Sequence, residues 1–164
     1  MDSAVMFSRQ SDEWATPRPV FEALDAEFGF TLDAAATAIN ARCDTYLTRE
    51  QDALQLSWGQ QSVWLNPPYS QCAVFLAKAA AEVADGCTVV CLVPSRTDTR
   101  WWHRHVWDAT RHQPRPGVEI RFLPGRLRFS DAKNAAPFPS VVLVFRPVSP
   151  DHFRAVSGCN ARGF

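Results

Sequence analysis

The sequence predicts an α/β protein: a doubly wound, mostly parallel sheet with helices on both faces and an antiparallel β-hairpin near its C-terminal end. Three observations predict it. Short apolar runs alternate with helical periodicities, the order that a wound parallel sheet requires. "CTVVCLVP" at 87–94 and "PSVVLVFRP" at 139–147 are apolar on both faces, as fully buried strands are. "EIRFLPGRLRF" at 119–129 reads as a strand, a Pro-Gly turn and a second strand.

Each remaining element has a local cause. In "WATPRPVFEALDAEFGF" at 14–30, Thr16 can cap a helix and Pro17 suits its first turn. Val20, Phe21, Leu24 and Phe28 form one apolar stripe before Gly29 stops that helix. "FTLDAAAT" is a short strand ending at Asp33, and "REQDALQLSW" at 49–58 reads as a turn of helix and a loop. "SVWLN" at 62–66 is a strand halted by Pro67-Pro68, because proline has no amide hydrogen for a ladder. Ser70 then caps the alanine-rich helix "QCAVFLAKAAAEVADG", which closes at Gly86. "RTDTRWWHRHVWDATRH" at 96–112 reads as one helix dense in tryptophan and arginine. Trp101, Trp102 and Trp107 lie at helical spacing, for which core packing is the default. His103 and His105 fall on different faces of such a helix, which argues against a shared metal.

The 164 residues suit one domain, placed at 12–148, with tails at 1–11 and 149–164. No run approaches the roughly 18 apolar residues that span a bilayer. "MDSAVMFSRQSDEW" has no basic segment followed by an apolar one, so no secretory leader is expected. The five cysteines, at 43, 72, 87, 91 and 159, are scattered, which suits reduced, mostly buried thiols in a cytoplasmic protein. Net charge is zero but unevenly spread. Residues 1–94 hold five basic side chains (Arg9, Arg18, Arg42, Arg49, Lys78) against twelve acidic ones, and residues 95–164 hold twelve against five. Eight of those later twelve are arginines between Arg96 and Arg128, a distribution that draws a polyanion to one part of the chain.

The chemistry concentrates in "VWLNPPYS" at 63–70. The Asn66 side-chain oxygen and the Pro67 carbonyl both accept hydrogen bonds, on a backbone stiffened by Pro67 and Pro68. Two rigid acceptors suit an NH₂ group on a flat ring, and Tyr69 offers a face on which such a ring can stack. Drawing on the amine hydrogens favours a pyramidal nitrogen with its lone pair directed outward. That is catalysis by positioning and electrostatics, with no general base. Asp33 and Asn66 both fall at carboxyl ends of strands, the rim where wound sheets bind ligands. The plainer readings are a strand-to-helix turn at 66–69 and a capping role for Asp33.

The run Asn66-Pro67-Pro68-Tyr69 resembles the catalytic motif of amino-methyltransferases, above all those acting on adenine N6 in DNA. Trp14-Ala15-Thr16-Pro17, Leu32-Asp33-Ala34-Ala35, Asp52-Ala53-Leu54 with Trp58, "LVPSRTDTRWWH", "GRLRF" and "APFPSVVLVF" extend the likeness over about residues 12–146. Together they resemble the phage-type, Dam-like DNA N6-adenine methyltransferases. The resemblance implies a Rossmann-like methyltransferase fold that uses S-adenosylmethionine and releases S-adenosylhomocysteine. It implies that Trp14, Thr16 and Pro17 close over the methionine end of the cofactor. Asp33, followed by Ala34 and Ala35, would meet the cofactor's amino group. Asp52 resembles the acid after the third strand that takes the cofactor's adenine, and Asp44 is a candidate for the ribose. Asn66, Pro67, Pro68 and Tyr69 would hold the target base of double-stranded DNA. Arg96, Arg100, Arg104, Arg126 and Arg128 would contact the phosphates. No metal is implied, and the chain is expected to act in the cytoplasm of a bacterial host as a monomer or weak dimer. Ala34-Ala35-Ala36-Thr37 stands where many relatives carry a glycine-rich loop. Adenine in RNA, cytosine N4 or a protein glutamine stay open as targets, as does a DNA-binding accessory role without turnover.

Overall fold

The computed structural model describes residues 14–129 and 134–148. The tails at 1–11 and 149–164, and Cys159, lie outside the described residues. The elements in chain order are α1 (Arg18–Phe28), β1 (Leu32–Asp33), β2 (Ser62–Leu65), α2 (Cys72–Glu82) and β3 (Thr88–Pro94). They continue with α3 (Arg100–His105), β4 (Trp107–Asp108), β5 (Gln113–Pro114), β6 (Val118–Phe122) and β7 (Ser140–Phe145).

Five strands form one sheet in the order β1-β2-β3-β7-β6, and β4 and β5 form a separate ribbon. β1, β2 and β3 are parallel, with Asp33 opposite Trp64 and Leu65 opposite Cys91. β7 is antiparallel to both β3 and β6, so four of the five strands point the same way. The period of two then divides the core. Val63, Leu65, Val89, Cys91, Val93, Val141 and Leu143 meet Phe75, Leu76 and Ala79 of α2 and Trp102 of α3. Trp64, Val90, Leu92, Val142 and Val144 meet Phe21 and Leu24 of α1 on the other face. Helices therefore cover both faces, as expected of a doubly wound sheet. Among the described residues, no helix is long and apolar enough to cross a membrane.

Several boundaries differ from the sequence expectation, each for a physical reason. Thr16 does not cap α1; Pro17 holds that place, and its carbonyl accepts the Val20 and Phe21 amides at 3.1 and 3.2 Å. Gly29 ends the helix in the left-handed conformation, as expected. Ser70 is not a cap either. The Pro68 carbonyl accepts the Gln71 amide at 2.8 Å, which tightens Tyr69–Gln71 into a 3₁₀ turn before α2. The long helix expected over 96–112 is six residues long. Both the Nε and Nη2 of Arg115 donate to the His103 carbonyl, at 2.9 and 2.7 Å, which folds the chain back. Asp108 accepts the Thr110 and Arg111 amides and makes the turn of the β4–β5 ribbon. The hairpin expected at 119–129 is also corrected. β6 pairs with β7, an apolar strand buried throughout, while 123–129 stay out of the ladder, with Arg126 and Arg128 exposed and Leu123, Leu127 and Phe129 packed on the core.

Gly117 enters β6 at φ +76°, where an added Cβ would lie 2.5 Å from the Arg146 carbonyl oxygen and 2.8 Å from Val148. Gly125 has a similar φ of +67° with nothing within 4 Å. Gly117→Ala should therefore destabilise the protein beyond Gly125→Ala by roughly 1–3 kcal/mol, the usual cost of overpacking. Denaturant unfolding of the two variants measures this, and equal losses would contradict the close approach.

Candidate active site

Parallel pairing sets the site. Because β1, β2 and β3 run together, Asp33, Asn66 and the segment after Pro94 emerge at one rim of the sheet. A cavity of about 1020 Å³ opens there. Trp14, Ala15 and Thr16 line it, together with residues 33–37. Thr48, Arg49, Asp52 and Leu54 also line it, as do Asn66, Pro67 and Pro68. A smaller cavity, about 400 Å³, lies at the opposite edge, where Ser62 and Thr88 begin their strands, and holds none of these residues.

Asp33 is fixed from both sides. It pairs with Trp64 and, by an isolated bridge, with Tyr46; its amide donates to the Thr45 carbonyl at 3.0 Å. Its carboxylate is buried, with Oδ1 accepting the Ala35 amide at 3.3 Å and Oδ2 the Arg42 amide at 3.0 Å. Burial raises its pKa above the ordinary aspartate value, against the pull of those two amides and of the Arg42 charge.

Asn66 makes the contact that orients the motif. Its Nδ2 donates to the Trp14 carbonyl at 2.5 Å. Its Oδ1 is buried and has no hydrogen-bond partner among the described residues. An unpaired buried acceptor on a cavity wall costs about 1–3 kcal/mol unless something fills it, so it marks where a donor belongs.

Tyr69 differs from expectation. It does not line the cavity; its ring packs in an aromatic cluster with Trp14, Phe129 and Phe138. Trp14 lies nearly parallel to it, 17° between planes and 6.5 Å between centroids. Its hydroxyl is buried without a partner among the described residues, and burial pushes the phenol pKa well above its usual range.

The other expected residues divide. Trp14, Thr16, Ala34, Ala35 and Asp52 line the cavity; Pro17 and Asp44 do not, and Asp44 is exposed. Asp52 follows the 3₁₀ turn Arg49–Gln51, not a strand, and takes a left-handed φ of 49°. Arg96, Arg100, Arg104, Arg126 and Arg128 are exposed and lie outside the cavity lining. Phe129 ties the loop carrying Arg126 and Arg128 to Tyr69. Two further arginines of that basic stretch are engaged internally: Arg115 on His103, and Arg121 on Glu27 and Glu119 at 2.6 Å. Trp102 is buried in the core, as its spacing implied. Sequence reasoning missed Arg42, whose Nη2 donates to the Thr16 carbonyl at 2.5 Å and which lines the cavity. The available signal was its rarity, as one of five basic side chains in an acidic half. It also missed Phe129 and Phe138, which carry no local pattern.

The buried carboxyl gives stability a pH dependence of definite sign. The fold favours protonated Asp33, so this contribution is full below the ordinary value of 3.8 and is lost as pH rises through the raised pKa. The stability of the parent minus that of Asp33→Asn, followed by thermal unfolding, should fall from acid towards neutral pH. A difference that stays flat would mean that the carboxylate is well solvated.

The chain is similar to known proteins along most of its length. A family model described as DNA N-6-adenine-methyltransferase (Dam) matches residues 4–161. The DNA N-6-adenine-methyltransferase of Haemophilus phage HP1 (strain HP1c1) is 30% identical over 142 residues, covering 85% of this chain and 81% of that protein. The protein of the same name from Escherichia phage T1 is 37% identical over 93 residues, 56% of this chain and 39% of that one. The chain thus spans most of the first relative and less than half of the second. With nearly its whole length matched and the strand-end asparagine set beside a rim cavity, the chain belongs to the Dam family of DNA N-6-adenine-methyltransferases.

Proposed function

We propose that this protein transfers a methyl group from S-adenosylmethionine to N6 of adenine in double-stranded DNA. The observation that carries the reading is the Asn66 Oδ1, buried and unpaired on the cavity wall while its Nδ2 is held by Trp14. The cavity's donor set fits the cofactor: about 1020 Å³ of space, a buried carboxylate at Asp33, small side chains at Ala34–Ala36 and a second acid at Asp52. When bound, S-adenosylmethionine supplies an electrophilic methyl on a sulfonium and leaves as S-adenosylhomocysteine.

The chain's own residues do the rest. The Trp14 carbonyl fixes the Asn66 amide so that Oδ1 accepts a hydrogen of the adenine amine, which exposes the nitrogen lone pair. Pro67 and Pro68 hold that acceptor still. The target nucleotide leaves the stack to reach the cavity, because its amine is inaccessible within the duplex. Trp14, the member of the Tyr69 cluster that lines the cavity, offers the extruded ring an aromatic neighbour. Arg96, Arg100, Arg104, Arg126 and Arg128 neutralise phosphates, which makes binding salt-dependent. Among the described residues, no cysteine acts as nucleophile. Cys72, Cys87 and Cys91 are buried, and burial with nearby Asp33 pushes Cys43 up to about 12. Buried thiols also suit a reducing bacterial cytoplasm, where the protein works as a monomer or weak dimer.

Asn66→Ala should lower methyl transfer to DNA by roughly 10²–10³-fold, the scale of one lost transition-state acceptor, while S-adenosylhomocysteine still binds. Tritium transfer from labelled cofactor, followed by nucleoside chromatography of digested DNA, measures both the rate and the methylated position. Unchanged transfer by the variant would remove Asn66 from the mechanism. Label on cytosine or on protein would overturn the substrate, and DNA binding without label would favour an accessory role.

A further inference from the structure

We propose that Arg42 binds the carboxylate of the cofactor's methionine end while Asp33 takes its ammonium group. The assignment rests on the reading of S-adenosylmethionine as cofactor and adds a residue to it. A free α-amino acid end is a zwitterion, so a site for it needs an anion and a cation side by side. The Arg42 amide donates to Asp33 Oδ2 at 3.0 Å, which brings the two residues together although nine positions separate them. Both line the cavity, with Thr16 beside them.

The guanidinium is poised for a carboxylate. It is half-buried, and among the described residues its one hydrogen bond is from Nη2 to the Thr16 carbonyl. No described carboxylate forms an ion pair with it, unlike Arg121 or Arg146. A guanidinium carries five N–H donors in a planar fork that matches the two oxygens of a carboxylate, so donors remain for a ligand. Arg49 is the other arginine of the cavity. It is exposed and stands three residues before Asp52, whereas Arg42 is half-buried and hydrogen-bonded to Asp33 through its amide. Since Arg42 also holds the Thr16 carbonyl, one side chain links the 14–17 segment to the amino-acid end of the ligand.

Isothermal titration of the full chain with two ligands tests this. S-adenosylhomocysteine carries the amino-acid end; 5′-methylthioadenosine keeps the adenosine and sulfur but lacks it. Arg42→Met should weaken S-adenosylhomocysteine by roughly tenfold to a hundredfold, the size of a lost charged hydrogen bond, and leave 5′-methylthioadenosine unchanged. Arg42→Lys should restore part of the difference. Thermal unfolding of each ligand-free variant checks that the fold is intact. Equal weakening of both ligands would make Arg42 structural and overturn the proposal. So would unchanged binding of S-adenosylhomocysteine, or loss of its advantage in Arg49→Met rather than Arg42→Met. A parent protein that binds neither ligand overturns the cofactor reading, and this assignment with it.

Discussion

Two short strands, paired in parallel so that Asp33 lies opposite Trp64, bring an acid and an amide to the same edge of the sheet. Asn66 stands two residues beyond Trp64, just past the last ladder position. The strands need no length to do this, because a parallel register fixes which chain ends coincide. The 33–42 loop, the 14–17 segment and the prolines then have only to close around a rim that already exists. The bond from Asn66 to the Trp14 carbonyl and that from Arg42 to the Thr16 carbonyl are the two closures. In both, a side chain from elsewhere in the fold grips a backbone oxygen of the 14–17 segment, while the Trp14 ring packs on Tyr69, Phe129 and Phe138.

The cavity and the outer surface differ in charge. Inside, the carboxylates of Asp33 and Asp52 are matched by the guanidinium groups of Arg42 and Arg49, beside an unpaired amide oxygen. Outside are exposed arginines before and along α3 and in the β6–β7 connection. A small molecule bearing charges of both signs suits the first environment and a polyanion the second. The two therefore do not compete for one surface, even though the net charge is zero.

What the sequence made legible was local. The stripe on α1, the double-sided apolar runs of β3 and β7, and the halt at Pro67-Pro68 are written in consecutive residues, and each element forms where they stand. Asn66 was readable because a polar side chain at the end of a buried strand needs a reason. The illegible parts were choices between distant partners. Nothing in 119–129 reveals that β7 competes better for β6 than Leu127 and its arginine neighbours do. Nothing in 96–112 shows that Arg115 will reach back to His103 and shorten α3. Tyr69 was expected to offer a bare face, but its neighbours come from residues 14, 129 and 138, which no local pattern connects. Arg42 lacks a motif and gains its place only when the fold sets it against Asp33 and Thr16.

β7 is the last strand in sequence yet sits inside the sheet, between β3 and β6. While the ribosome is still making residues before 140, β3 has an open edge and β6 has no partner in the sheet. The core then lacks Val141 to Phe145, which serve both faces. The sheet therefore cannot close until residues 140–145 have been made, and Phe138 packs on Tyr69 next to that strand. A chain made only as far as α2 already carries every cavity-lining residue, yet it lacks the inner strand whose side chains serve both faces of the core.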